Sequence, residues 1–552
     1  MYPKMKAPHC SPCWKIGGPS RDQGRSDSPA RFKTKGDGAG APRRGAFALP
    51  IPLSVAPGGG SGNLTKRAVH PLSGMRILKN AVYLFASNVL VRLVGAVAAI
   101  LVARYLGAKD YGILSVALAF SVVTGYFTDL GLSHTFIRDG TKPGADLGRL
   151  LAGFFKIRLL FGLGTAVVSV AVVQSLYPDP GMRRVLYWVV MPTILGAAFQ
   201  GVGAVYFQVV QKMQYTALIR AVAGLLSAGA LFLGMALRWP LDFLAPIYGL
   251  AAVAGGLLSL WLVGHRVSFF SGWDRSLLRG LGSFTLGGLV IMLLNQMGPL
   301  VLERVTDLVA VGYFAAAFRI PSVLYQIPGV LAEAYYPQLF AHGNRRDEDA
   351  HLRLNVLELK MMSALGVMMA LPFLLYPAWW IHLLFGPRWA DAAPALTILS
   401  WMVFMQSINY PLADALTTKG MQSRRTAVLV AVLVVGAAAY AVLGARWGST
   451  GGALAALVVE CLSMIGFVLM NPTGWRLLLQ GAARNAAVAA AAVFLGFLWV
   501  RDWSPFVGMP VLEMGAGLAI VAMDSDIRRR LQEMWEKVQE RIPRIRREGG
   551  GP

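Results

Sequence analysis

Runs of about 20 apolar residues recur from residue 80 to residue 523, each broken by a short charged stretch. A run of that length, coiled as a helix, crosses the ~30 Å hydrocarbon core of a bilayer. Inside the core every backbone polar group needs an internal partner, so only helices and closed barrels can span it. Barrel strands are short and alternate in polarity, whereas these runs are long and uniformly apolar. Composition agrees: 55% of residues are hydrophobic and 14% charged, against about 25% charged in a soluble globular chain. The chain is therefore predicted to be an all-α polytopic membrane protein of about 14 transmembrane helices. The expected spans are 81–103, 112–134, 150–173, 185–207, 215–237, 243–264, 283–303, 309–335, 358–384, 392–416, 425–443, 450–470, 483–500 and 505–523.

The formal net charge is +24. In a soluble protein that would suggest nucleic acid, but here position decides. The stretch 1–79 holds 14 basic and 3 acidic residues, and most of the remainder lies in short loops. With the N-terminus placed in the cytoplasm, inner loops carry 15 basic residues and outer loops 9. That bias is the positive-inside pattern, and it puts both tails in the cytoplasm for an even number of spans. Nucleic acid is not an expected partner; the lipid bilayer is. No loop exceeds about 25 residues, so no extramembrane catalytic domain is expected.

Residues 1–74 are rich in Gly, Pro, Ser and Arg, and are expected to be a disordered basic tail. Met75-Arg-Ile-Leu-Lys-Asn leads straight into the first span, which makes Met75 an alternative start. Cys10 and Cys13 form a lone pair in the tail, and no second pair completes a metal site. At the other end, 524–552 reads as a cytoplasmic amphipathic helix with Asp526 as N-cap. Ile527, Leu531, Met534, Trp535, Val538 and Ile542 share one face.

Two echoes lie at a near-constant offset. Gly112-Ile-Leu-Ser-Val-Ala-Leu-Ala-Phe120 aligns with Gly312-Tyr-Phe-Ala-Ala-Ala-Phe-Arg-Ile320, and Gln211-Lys-Met-Gln214 with Lys419-Gly-Met-Gln422. They suggest two six-helix lobes, 75–270 and 271–475, related by a pseudo-two-fold along the membrane normal. Two extra helices (476–523) follow.

Lys79-Asn-Ala-Val-Tyr-Leu-Phe-Ala-Ser87, Ala103-Arg-Tyr-Leu-Gly107, Asp129-Leu-Gly-Leu132, Val311-Gly-Tyr-Phe-Ala-Ala-Ala-Phe-Arg319, Tyr336-Pro337 and Leu384-Phe-Gly386 carry a resemblance over roughly 75–500. The chain resembles the polysaccharide-biosynthesis (O-antigen, Wzx-like) flippases of the multidrug/oligosaccharidyl-lipid/polysaccharide exporter superfamily. The resemblance implies a V-shaped two-lobed transporter. It would flip an undecaprenyl-pyrophosphate-linked oligosaccharide across the bacterial inner membrane by alternating access, for surface polysaccharide assembly. It would work beside a polysaccharide polymerase and a chain-length regulator. The tail 1–74 has no counterpart there.

A charge at mid-bilayer costs ~2.5–3.5 kcal/mol on insertion scales and so needs a reason. Asn88 and Arg92 share one face of the first span with Gly95; Arg319 shares a face of the eighth with Gln326 and Glu333. Arginines from facing lobes can grip a pyrophosphate bidentately. The resemblance supports Arg319, because lipid II flippases carry a cavity-lining arginine at the matching position. The alternative is a structural partner for an acidic residue. Asn295 and Gln296 in the seventh span suit sugar hydroxyls or, equally, interhelical hydrogen bonds.

Asp129, Glu333 and Asp414 are candidates for proton or Na⁺ coupling, although Asp129 could instead cap its span or pair with Arg138. Glu358 and Lys360 are expected at the interface, Lys156 and Arg158 to snorkel, and Glu460 to sit in a salt bridge; Glu513 has no expected role. Prolines 321, 328, 337, 372 and 411 should bend second-lobe spans.

No Walker-type phosphate loop, nucleophile elbow or metal motif occurs in the sequence. The expectation is therefore a transporter rather than an enzyme, with no cofactor and an ion or substrate gradient as its energy source. The competing readings are a drug/cation antiporter of the same superfamily, which would favour acidic and aromatic cavity residues over arginines, and a lipid II flippase.

Overall fold

The computed structural model describes residues 90–265, 272, 275–279, 281–530, 532–533 and 536. The expectations for 1–74, Met75 and Asn88 lie outside the described residues, as does most of the apolar face predicted after Ile527. The compact unit that begins at Val69 contains every described residue.

All regular structure among the described residues is helical. The first lobe contains α1 (90–106), α2 (Ala108–Phe127), α3 (Leu132–Gly140), α4 (Leu147–Leu176), α5 (Pro180–Val209), α6 (Met213–Ala236) and α7 (Leu241–Gly264). The second contains α8 (Leu281–Val305), α9 (Leu308–Leu324), α10 (Gln326–Asn344), α11 (Glu348–Leu375), α12 (Pro377–Phe385), α13 (Ala393–Thr418) and α14 (Gln422–Met470). α15 (Gly474–Gly481), α16 (Ala483–Leu495) and α17 (Pro505–Met523) close the described fold.

Eleven helical segments among the described residues are long and apolar enough to cross a membrane. α14, at 49 residues, is two spans, because Trp447 and Gly448 leave helical dihedrals and Gly448 takes φ 54°, where an L side chain is strained. Its two halves, together with α13 and α1, complete the fourteen expected spans. Leu160, Leu163, Val167 and Val168 on α4 are more than half exposed, as a lipid-facing surface requires.

Aspartates start several helices. Asp146, Asp179, Asp307 and Asp347 each accept a backbone N–H from the first turn, at 3.0, 2.7, 2.6 and 3.0 Å. Each such cap contributes about 1 kcal/mol.

The lobes meet through the repeat itself. A Cβ on Gly112 would overlap the carbonyl oxygen of Leu308, and a Cβ on Gly312 would overlap that of Ala108. These contacts are mutual between residues 200 apart, so α2 and α9 cross on the pseudo-two-fold, and only glycine fits there. Polar contacts between the lobes occur at both ends of the bundle. At the end carrying loops 104–109 and 304–309, Tyr177 Oη donates to Glu303 Oε1 (2.7 Å) and Arg304 to the Leu176 carbonyl (2.8 Å). At the opposite end, Tyr126 Oη donates to the Thr285 carbonyl (2.7 Å) and Thr285 Oγ1 to that of Leu130 (2.7 Å).

α16 and α17 pack on α11 of the second lobe. Lys360 is buried there, 2.9 Å from Asp524 Oδ2 and 2.7 Å from Asp526 Oδ2. It is thus an internal tie and not the interfacial residue expected. Asp524, not Asp526, caps the following helix: its Oδ1 accepts the N–H groups of Asp526 and Ile527. Asp526 instead pairs with Lys360, and this holds its carboxyl below the usual carboxylate range.

Candidate functional site

A cavity of about 1780 Å³ lies between the lobes. Its first-lobe wall carries Arg92 from α1, Ser121 and Gly125 from α2, Gln200 from α5 and Tyr248 from α7; its second-lobe wall comes from α8–α11, α13 and α14.

The α9–α10 break shapes this site. Pro321 has no N–H to donate and bends the chain. α9 ends at Leu324, and a new helix starts at Gln326, whose amide donates back to the Ser322 carbonyl (3.0 Å). The break puts Arg319, Ser322, Tyr325 and Gln326 together on the cavity wall, in mid-span. Arg92 crosses from the other lobe and donates to Gln326 Oε1. The two arginines thus converge on one stretch of wall. Arg319 is half-buried and makes no ion pair among the described residues.

Asn295 and Gln296 line the same cavity from α8, and neither side chain is held by a hydrogen bond among the described residues. Glu333 lines it too and is exposed; Asp414 lines it and is buried, its Oδ2 lacking a partner among the described residues.

Asp129 is elsewhere. Its carboxylate pairs with Arg158 (2.7 Å), not with Arg138, and accepts from Ser133 Oγ (2.6 Å). Arg138 pairs with its neighbour Asp139 (2.9 Å). Arg158 does not snorkel: it is 6% exposed, donates also to the Ala197 carbonyl, and lies where a Cβ on Gly201 would be. The reason is geometric. α4 crosses beneath the end of α2, so the partner of Asp129 comes from a different helix.

Gln406, Asn409, Tyr410, Tyr325 and Tyr440 escaped the sequence reading. Gln406, Asn409 and Tyr410 share one face of α13 with Asp414, and Tyr325, Tyr440 and Glu460 face them. Their spacing of three to four residues was the available signal. Glu460 forms no salt bridge among the described residues; it accepts from Asn409 Nδ2 at 2.7 Å. Arg425, at the start of α14, also lines the cavity and donates to Thr417 Oγ1 (2.8 Å). Behind Asp414, Glu358 is wholly buried and accepts from Asn355 (3.2 Å). The buried Oε1 of Glu513 has no partner among the described residues, and nothing in the structure explains that residue.

Residues 77–341 match the model of the family described as "Polysaccharide biosynthesis protein". No curated protein matches the chain in sequence. Among solved structures, the fold is similar to "Lipid II flippase MurJ, inward closed conformation" (TM-score 0.64, 12% identity, covering 81% of this chain and 98% of that one). It is also similar to an inward-facing multidrug resistance MATE family transporter of the MOP superfamily (0.59, 13%, 70% and 98%). A third match is the MATE multidrug transporter DinF-BH (0.52, 14%, 74% and 97%). The chain is thus a multi-pass membrane protein with the two-lobed fold seen in these transporters, and its residues 77–341 are similar to the polysaccharide-biosynthesis family.

Proposed function

We propose, with the family match and the two-lobed fold as premise, that the chain flips a polyprenyl-pyrophosphate-linked oligosaccharide across the bacterial inner membrane, with both termini cytoplasmic. One observation carries the reading: a large cavity between the lobes to which each lobe contributes an arginine. A pyrophosphate is dianionic or more, and guanidinium groups bind its oxygens through charge-assisted hydrogen bonds, roughly twice as strong as neutral ones. Arg92 donates to a neutral amide oxygen of Gln326, so an arriving phosphate exchanges a weaker acceptor for a stronger one. Arg319, with no carboxylate partner among the described residues, is free to engage at the same time. Asn295 and Gln296 offer uncommitted amides to the cargo. Glu333 and Asp414, both on the cavity, are the carboxylates through which proton or Na⁺ movement couples to transport; Asp129 has its charge matched by Arg158. A polysaccharide polymerase and a chain-length regulator are the expected partners.

The test is to delete the gene in its host and quantify polyprenyl-pyrophosphate-linked oligosaccharides by lipid extraction and mass spectrometry. Accumulation of completed repeat units with loss of surface polysaccharide is expected. Unchanged lipid intermediates would count against the proposal. A second reading, a cation antiporter, is favoured by the acidic and aromatic second-lobe wall around Glu460 and Tyr410. It predicts efflux of lipophilic cations, measurable in the same deletion strain. Accumulation of lipid II instead would point to the lipid II flippase reading.

A further inference from the structure

The α13–α14 part of the second-lobe wall differs in chemistry from the α9–α10 stretch where Arg92 and Arg319 converge. Asn409 Nδ2 donates to Glu460 Oε2 at 2.7 Å and to the Glu460 backbone carbonyl at 3.0 Å. With its amide oriented by hydrogen-bond complementarity, Gln406 donates to both oxygens of the same carboxylate. Tyr325, Tyr410 and Tyr440 line the cavity around this group. Asn409 and Glu460 are 4% and 8% exposed, and Asn409 Oδ1 has no hydrogen-bond partner among the described residues. A buried amide oxygen without a donor is costly, and natural proteins rarely keep one without reason.

The missing group is a donor. A phosphate is all acceptor, and the Glu460 carboxylate repels it. A hydrocarbon chain supplies neither donor nor acceptor. A neutral, hydroxyl-rich ligand fits on both counts: its O–H groups donate to Asn409 Oδ1 and Glu460, and its C–H faces lie against tyrosine rings. We propose that this wall is the carbohydrate subsite of the cavity. It takes the sugars of the cargo while the arginines take its pyrophosphate, so each end of the lipid-linked oligosaccharide meets its own chemistry within the one cavity. The proposal rests on the flippase reading above and adds the place and residues of sugar recognition.

Two probes separate the subsite from the rest: undecaprenyl pyrophosphate, which carries no sugar, and the lipid-linked oligosaccharide that accumulates in the deletion host. Binding of each to the purified full-length protein in nanodiscs is measured for the wild type, Asn409→Ala, Gln406→Ala and Arg319→Ala. Tyr410→Phe serves as a mild variant in case the alanine variants fail to fold. The subsite predicts about tenfold weaker binding of the glycolipid to the α13 alanine variants, and a smaller loss for Tyr410→Phe, with undecaprenyl pyrophosphate affinity unchanged within about twofold. Arg319→Ala weakens both probes. Equal weakening of both probes by the α13 variants, or unchanged glycolipid affinity, overturns the subsite. So does a Glu460→Gln variant that loses tetraphenylphosphonium binding yet holds the glycolipid normally, since the wall would then be a cation site. If the wild type binds neither lipid, the flippase reading fails first and the subsite falls with it.

Discussion

Arg158 and Asp129 show what a single charge pair does inside this fold. Their 2.7 Å contact ties α4 to the end of α2, and Gly201 leaves the space in which the guanidinium lies. Removing one partner of a buried pair costs about 3–5 kcal/mol, because the other charge is left uncompensated. Arg158→Met should therefore lower the melting temperature and expression sharply, and Arg158→Met with Asp129→Leu should recover part of the loss. Thermal unfolding of the detergent-solubilised variants checks this. By contrast, Arg319→Ala should leave stability near wild type, since no described carboxylate depends on it, while transport of the lipid-linked cargo falls at least about tenfold. A proteoliposome flipping assay, normalised to inserted protein, reads the difference. Arg319 was legible in the sequence because a charge in an apolar run stands out. Gln406 and Asn409 were not, because neutral amides are unremarkable and their partner Glu460 lies some 50 residues away on another helix. For Asp129 the sequence offered only the neighbouring cation, Arg138, as a pairing partner, whereas the fold supplies Arg158 from another helix.

At the scale of elements, the last two membrane helices are held to the second lobe by Lys360. It binds Asp524 and Asp526, and Asp524 also lies 3.5 Å from Arg484. Lys360→Met should loosen α17 and the helix after it by about 2–3 kcal/mol, somewhat less than a fully dry pair. Faster tryptic cleavage at Arg528–Arg530 in proteoliposomes is the expected sign. The pH dependence has a definite direction. The folded pKa of Asp526 is lowered, chiefly by its hydrogen bond to Lys360. Its contribution is therefore complete above the unfolded carboxylate value near ~4 and is lost only as pH falls through the lower folded value. Cleavage by pepsin at decreasing pH should report release of the helix below pH ~4, and not at around pH 5–7. The span pattern was readable throughout because hydropathy acts locally. The cap was missed because Asp524 and Asp526 are equally plausible in sequence; in the fold both meet Lys360, and only Asp524 also turns an oxygen to the first-turn N–H groups.

For the whole molecule, polar contacts join the lobes at each end, and alternating access requires one set to part before the other. Tyr177 donates to the Glu303 carboxylate at one end; Tyr126 donates to a neutral carbonyl at the other. Hydrogen bonds to charged groups contribute about 1.5–3 kcal/mol and neutral ones about 1. Tyr177→Phe and Tyr126→Phe should thus bias the resting population in opposite directions, by roughly tenfold or more and roughly fivefold respectively. Pulsed electron–electron distance measurements between spin labels at Lys142 and Asn344, exposed at the end of the bundle away from the α2–α9 contact, would show narrowing for Tyr177→Phe and broadening for Tyr126→Phe.

The mutual seat of Gly112 on Leu308 and Gly312 on Ala108 has a mechanical consequence. A contact between equivalent residues straddles the symmetry axis and lies near one face of the bundle, so it acts as a fulcrum with a long arm. Across a hydrocarbon core of ~30 Å, a tilt of about 10° at such a point swings the far ends by about 5 Å. That is one helical pitch, enough to turn a small rearrangement of two crossed helices into a doorway for a large headgroup.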